Sequence, residues 1–180
     1  RLKGTVGTLE GGALKAGTGN VYGGGRLARV ERNTVVTIGS ESGIGSPVIL
    51  GDIYGAGMGK DTHGYSGLVR GNATVTIQDD AKVRGNVYGG GEKASLGRFF
   101  VAATDALATA HGVEKGMPYD LKSGGTSTVI IRGSAEIGPE TGDASDNSGN
   151  VFGAGKGADP SEISNPGRYY LNNSNAVTWE

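Results

Sequence analysis

The chain has 180 residues, 36 of them glycine, no cysteine, and a net charge of −1 from 17 basic and 18 acidic side chains. Balanced charge without a Lys/Arg block excludes the electrostatic footprint of a nucleic-acid binder, and the lack of cysteine excludes disulfides and thiolate metal sites. Glycine at about three times its usual share, without a strict three-residue period, excludes collagen, while recurring Val, Ile and Leu supply periodic apolar surface to bury.

Taken in chain order, Arg1-Leu2-Lys3-Gly4 does not open a signal peptide, so an export signal is expected outside these residues. No apolar run approaches the roughly twenty residues of a membrane span. A half-repeat around Gly4-Thr5-Val6 leads to the phrase Gly19-Asn20-Val21-Tyr22-Gly23-Gly24-Gly25. That phrase returns as Gly51-Asp52-Ile53-Tyr54-Gly55-Ala56-Gly57, Gly85-Asn86-Val87-Tyr88-Gly89-Gly90-Gly91 and Gly149-Asn150-Val151-Phe152-Gly153-Ala154-Gly155. A repeated supersecondary unit sets the architecture of a whole chain.

After the phrase comes a β-branched run: Val35-Val36-Thr37-Ile38, Thr74-Val75-Thr76-Ile77, Thr128-Val129-Ile130-Ile131 and finally Ala176-Val177-Thr178-Trp179. Alternating β-branched runs bounded by turn residues read as strands. A shorter third strand is expected at Gly43-Ile44-Gly45, Lys82-Val83-Arg84-Gly85 and Glu136-Ile137-Gly138. The opening glycines of the phrases lie 32, 34 and 64 residues apart, and the longest gap holds only one middle strand. It reads as one repeat plus an insertion over residues 92–126. Within it Phe99, Ala103, Ala106, Leu107 and Ala110 recur at helical spacing before Gly112, predicting one short helix against the outside of the coil.

These elements predict an all-β chain, a parallel β-helix (β-solenoid) with three short strands per coil and one partly helical insertion, over a single segment 1–180. Neither end reads as a polar cap, so the segment is expected to belong to a longer repetitive protein. A β-sandwich, the rival, has turns every 8 to 12 residues without restating one phrase.

Neighbouring residues of a strand point to opposite faces. If Val21, Ile53, Val87 and Val151 stack inside, then Tyr22, Tyr54, Tyr88 and Phe152 form a row outside. Such a row either stacks on itself or beneath the insertion, or offers a platform for sugar rings or another chain. In the middle strand Val36/Ile38, Val75/Ile77 and Val129/Ile131 belong inward. Only one of its copies carries Thr-x-Thr outward, too little for an ice-binding face.

Gly55-Ala56-Gly57-Met58-Gly59-Lys60 and Gly153-Ala154-Gly155-Lys156-Gly157 imitate phosphate loops, but neither lysine is followed by Ser or Thr and neither segment enters a helix. Asp143, Ser145 and Asn147 alternate like early calcium ligands, yet Ser148 stands where such a loop needs glycine. Calcium is therefore a minor alternative, and no cofactor is expected. His63 and His111 lack zinc-ligand spacing. Asp79-Asp80 read as turn carboxylates rather than a glycosidase pair. Asn72-Ala73-Thr74 and Asn172-Asn173-Ser174 match a glycosylation acceptor that is common by chance.

The GNVYGGG-like and TVTI phrases resemble those of large bacterial surface or secreted proteins of the Bacteroidetes type, with β-helix-like arrays. The resemblance covers nearly all of the chain outside the insertion. It implies an adhesin or structural stalk at the cell surface or outside the cell, with no catalytic residue to carry over. The expected function is thus a non-enzymatic structural or adhesive segment of an extracellular bacterial repeat protein: a stalk, adhesin or surface fibre. Its expected partners are other copies or segments of the same fibre, with surface glycans or host proteins as ligand classes. The alternative is a carbohydrate-binding or polysaccharide-degrading β-helix protein.

Overall fold

A computed structural model describes residues 4–40, 46–60, 66–113, 115, 118–140, 148–157, 169–171 and 177–179. The chain is strand-rich, with one short helix and several small sheets among these residues. No helix is long and apolar enough to cross a membrane among the described residues.

Strand β1 (Thr5–Val6) is followed by a hairpin, β2 (Leu9–Glu10) and β3 (Ala13–Leu14). Then come β4 (Val21–Tyr22), β5 (Thr34–Ile38) and β6 (Val48–Ile49), and their equivalents β7 (Ile53–Tyr54), β8 (Ala73–Ile77) and β9 (Lys82–Val83). Next is β10 (Val87–Tyr88), with β11 (Arg98–Val101), α1 (Asp105–His111) and β12 (Pro118–Ser123) before β13 (Ser127–Ile131) and β14 (Glu136–Ile137). The chain continues to β15 (Val151–Phe152), β16 (Tyr169–Leu171) and β17 (Val177–Trp179).

Equivalent strands pair in parallel, without slippage. One sheet runs β4-β7-β10-β15, aligning Val21, Ile53, Val87 and Val151, and beside them Tyr22, Tyr54, Tyr88 and Phe152. A second runs β5-β8-β13, aligning Val36, Val75 and Val129, then Ile38, Ile77 and Ile131. The third runs β1-β6-β9-β14, aligning Val6, Ile49, Val83 and Ile137. A slip of one residue would turn every aliphatic side chain out of the core, so burial itself fixes this register.

The aliphatic faces of the three sheets meet in one core of Val36, Ile38, Ile49, Ile53, Val75, Ile77, Ala81, Val83 and Val87. Each fully buried Val or Ile there contributes about 1.5–3 kcal/mol. Burial fades at the β13 edge, where Val129 is half-buried and Ile131 is 45% exposed. A smaller core of Ala56, Val69 and Ala73, flanked by Val30 and Leu96, lies beside it. Single parallel bridges from Val69 to Val30 and to Leu96 mark this as a further aligned position, which the sequence reading omits. Apolar stretches of only one or two residues carry no period, so nothing in the pattern flags them.

The third strand of the second unit is Val48–Ile49, which pairs with both Thr5–Val6 and Lys82–Val83, and not the expected Gly43-Ile44-Gly45. Those three residues lie outside the described ones. Physically, Val48 and Ile49 bring β-branched bulk to a strand position that two glycines around Ile44 would weaken.

Glu92 bridges Met58 and Lys156, and Leu96 bridges Val69, so parallel pairing continues beyond residue 92. The antiparallel pair β11–β12 then carries α1 between its strands. Thr104 caps α1, its Oγ1 accepting from the Leu107 N–H at 3.2 Å, and Gly112 ends it in a left-handed conformation with φ 62°. The buried helix residue is Ala108, whereas Ala106, Leu107 and Ala110 face outward. In a helix of only seven residues the spacing of small apolar side chains does not decide which face docks. The final strand also departs from expectation: β17 pairs antiparallel with β16 rather than joining β13.

Candidate functional site

The repeated phrase places Asn or Asp, then Val or Ile, then Tyr or Phe on successive residues. Alternation sends the aliphatic residue to the core and the polar and aromatic residues together to the other face. Parallel register then turns each position into a column.

The four aromatic rings form one continuous stack. Centroids lie 4.9 Å apart from Tyr22 to Tyr54, 5.0 Å from Tyr54 to Tyr88 and 4.9 Å from Tyr88 to Phe152, with interplanar angles of 5°, 5° and 10°. Each such pair adds about 0.5–1.5 kcal/mol beyond its buried area. Tyr54 is fully buried, and Phe152 at the end is 43% exposed. Tyr54 and Tyr88 each have a ring on either side, so the faces that a sugar would stack on are occupied by neighbouring rings.

Beside the rings runs a polar column. The Asp52 N–H donates to Asn20 Oδ1 at 2.9 Å, the Asn86 N–H to Asp52 Oδ1 at 2.8 Å, and the Asn150 N–H to Asn86 Oδ1 at 3.0 Å. Each side chain thereby satisfies a backbone donor of the next phrase, which a strand edge of two residues leaves outside its own ladder. Asn33 and Asn72 repeat the device near the middle strand, accepting from the Asn72 N–H at 2.9 Å and the Thr126 N–H at 3.1 Å. The recurrence of Asn20, Asp52, Asn86 and Asn150 one residue before the aliphatic position is the signal for the first column.

The glycine after the aromatic is required by close approach. A Cβ on Gly89 would stand 2.7 Å from the carbonyl oxygen of Gly153, and those on Gly23 and Gly55 would press still closer on the carbonyls of Gly55 and Gly89. Hydroxyls of the middle strands also reach this corner: Thr34 donates to the Gly55 carbonyl at 2.6 Å, and Ser127 donates to that of Gly153.

At the phenol ends of the rings two carboxylates converge. The Tyr22 hydroxyl donates to Glu92, and the Tyr54 hydroxyl donates to Asp52 Oδ2 at 2.9 Å. Lys156 Nζ lies 3.6 Å from the same Asp52 oxygen. Burial, reinforced by the Glu92 hydrogen bond, pushes the Tyr22 phenol up to about 12. Tyr54 is raised, first by burial and then by the charge of Asp52, and Tyr88 is raised for the same two reasons. Tyr22 and Tyr54 are therefore held neutral, as donors to Glu92 and Asp52. This arrangement locks the side chains of Tyr22, Glu92, Tyr54 and Asp52 together in pairs.

The remaining candidates fall elsewhere. The backbone N–H of Lys60 donates to Ser66 Oγ at 2.7 Å, and the Lys156 ammonium faces Asp52. Asp79 takes a left-handed φ of 54° and keeps Oδ2 enclosed without a hydrogen-bond partner, while Asp80 accepts from Ser134 Oγ at 2.6 Å. His111 stacks on Tyr119 at 4.0 Å, and Tyr119 lies 5.8 Å from Phe100, whose ring is half exposed beneath Lys122. That cluster joins residues far apart in sequence, so no local motif announces it. Asp143, Ser145 and Asn147, His63 and the Asn172 acceptor lie outside the described residues. Among the described residues no three His, Asp or Glu side chains are grouped as metal ligands would be.

No protein-family model, curated protein or solved structure matches this chain.

Proposed function

We propose that the chain is a parallel β-helix segment whose work is mechanical: a non-enzymatic stalk, adhesin shaft or surface fibre of an extracellular bacterial repeat protein. The observation that supports this best is the unbroken stack from Tyr22 to Phe152, because a residue that recurs to satisfy its own copies is explained without a substrate. Axial load on such a coil is shared by backbone hydrogen bonds, the asparagine column and the aliphatic core. The polar residues beside the rings are spent on each other, with Glu92 and Asp52 engaged by tyrosines.

A second reading, a carbohydrate-binding module, is favoured by one feature, the half-exposed Phe100 beside Tyr119 and His111 on the insertion. Exposed aromatic faces bind sugar rings by stacking. Incubating the protein with a panel of polysaccharides, scoring retention and release of reducing ends, separates the readings. The stalk reading expects no turnover. Release of reducing ends that disappears in Asp52→Asn or Glu92→Gln would overturn it, and retention lost in Phe100→Ala would establish the sugar-binding module.

A further inference from the structure

We propose that the basic row formed by Arg29, Arg70 and Arg98, continued by Phe100 on the insertion, is a binding surface for an acidic polysaccharide, a sugar chain bearing carboxylate or sulfate groups. The proposal rests on the carbohydrate-binding reading of the insertion and names the ligand class which that reading leaves open. Single bridges from Val30 to Val69 and from Val69 to Leu96 align residues 29–33, 68–72 and 95–99 of three successive repeats. Those segments carry Arg29, Arg32, Arg70 and Arg98 against a single acid, Glu31, in a chain with 17 basic and 18 acidic side chains.

Glu31 does not neutralise the row. Arg29 Nε lies 2.5 Å from its Oε1, Arg70 Nη1 3.3 Å from its Oε2, and Arg98 Nη2 3.9 Å from the same oxygen. Three guanidinium groups thus converge on one carboxylate and leave two positive charges in excess, with Arg32 adding another from the same exposed segment. Arg98 also donates to the Glu31 carbonyl at 3.2 Å, which holds its guanidinium in the row. The side chains stay open to solvent, at 52% for Arg29 and 46% for Arg98.

An acidic sugar chain matches both halves of this surface. Guanidinium forks pair bidentately with carboxylates and with tetrahedral oxyanions. Parallel neighbours lie about 4.8 Å apart, so successive repeats step along the row by roughly the length of one sugar ring. Arg98 also opens β11, which leads the row into the cluster of Phe100, Tyr119 and His111. The Gly125 N–H donates to the Gly71 carbonyl at 3.0 Å, tying the base of that hairpin beside Arg70. Phe100 is 51% exposed and offers the apolar face of a sugar ring a contact next to the charged groups. A net charge of −1 supplies no long-range pull on a uniformly charged strand such as nucleic acid.

The test is affinity electrophoresis and calorimetry of the intact chain with polygalacturonate, a sulfated dextran, neutral dextran and single-stranded oligothymidylate, beside the variants Arg70→Ala/Arg98→Ala, Glu31→Gln and Phe100→Ala. The expected result is binding of at least one acidic polysaccharide that weakens as salt rises, the one held identifying carboxylate or sulfate as the recognised group. The double arginine variant should lose about tenfold or more in affinity. Glu31→Gln should gain about twofold to fivefold, because it removes the one opposing charge. That gain gives the answer independently should the arginine variant misfold by circular dichroism, since a purely structural Glu31 predicts none. Neutral dextran held as strongly as the acidic chains, and lost in Phe100→Ala, would overturn the proposal and leave the carbohydrate-binding reading standing. Absence of binding to every glycan would sink both. Unaltered affinity in both charge variants, or oligothymidylate bound as tightly as the glycans, would also overturn the proposal.

Discussion

The hydroxyl of Tyr22, in the first phrase, donates to the carboxylate of Glu92, which directly follows the third. One side-chain contact thus ties together segments 70 residues apart, across the full width of the β4, β7 and β10 strands. Glu92→Ala is expected to destabilise the protein by about 1–2 kcal/mol, and Glu92→Gln by less, because the amide oxygen still accepts. Urea midpoints of the two variants check this; equal losses would show that the hydrogen bond contributes nothing.

The same hydroxyl sets an alkaline limit. Tyr22 ionises at about 12 when folded, above the ordinary value near 10 of the unfolded chain, so folding favours its protonated form. That stabilisation is complete below about pH 10 and is lost as pH rises through about 12. Tyr54 and Tyr88 shift in the same direction and add to the loss. The share of phenolate absorbance that belongs to Tyr22, Tyr54 and Tyr88 should therefore appear only as unfolding begins, together with loss of circular dichroism. Full ionisation of all tyrosines near pH 10 with the fold intact would contradict this.

Core substitutions should be graded along the stack. Ile77→Ala, at a fully buried position of the central strand, is expected to cost about 2–5 kcal/mol. Ile131→Ala, in register with it but 45% exposed, should cost roughly 1 kcal/mol. Denaturant titration of both variants measures the ratio, and similar costs would mean that the β13 edge is covered in solution.

Asp52 occupies a place that is asparagine in the other three phrases. Asp52→Asn keeps the acceptor for the Asn86 N–H but removes the ion pair with Lys156 and the carboxylate oxygen that accepts from the Tyr54 hydroxyl, and we expect a loss of about 0.5–1 kcal/mol. Asp52→Ala removes the acceptor itself and should cost about 1–3 kcal/mol by leaving a backbone donor unpaired. Thermal melts distinguish the pair; equal melting temperatures would show that the column is ornamental.

Much of the architecture was legible because one phrase is written four times. Val21, Ile53, Val87 and Val151 are aligned as their repetition implies, and so are their aromatic neighbours. Weaker repetition misled. Ile44 between its two glycines resembles a third strand, yet Ile49 serves, preceding Ile53 by the same four residues that separate Val83 from Val87. The row formed by Val30, Val69 and Leu96 has no linear signature, because apolar stretches of one or two residues have no alternation to read. The docking face of α1 was equally hidden, since seven residues rich in alanine present apolar atoms on every side. At the site, the ring column followed from spacing alone, whereas Glu92 and Lys156 enter it from outside the first five residues of the phrase, through three-dimensional register that a linear motif cannot express.

Paired cysteines test the central claim most directly, and the parent has none to interfere. Thr37 and Thr76 are register partners on neighbouring parallel strands, whereas Thr74 lies opposite Val35. Disulfides require Cα atoms within about 7 Å, so air oxidation of Thr37→Cys/Thr76→Cys should cross-link nearly completely in the native protein, with Thr37→Cys/Thr74→Cys lagging far behind. Equal cross-linking of both pairs, or failure of the first, would contradict the aligned stacking on which the account stands.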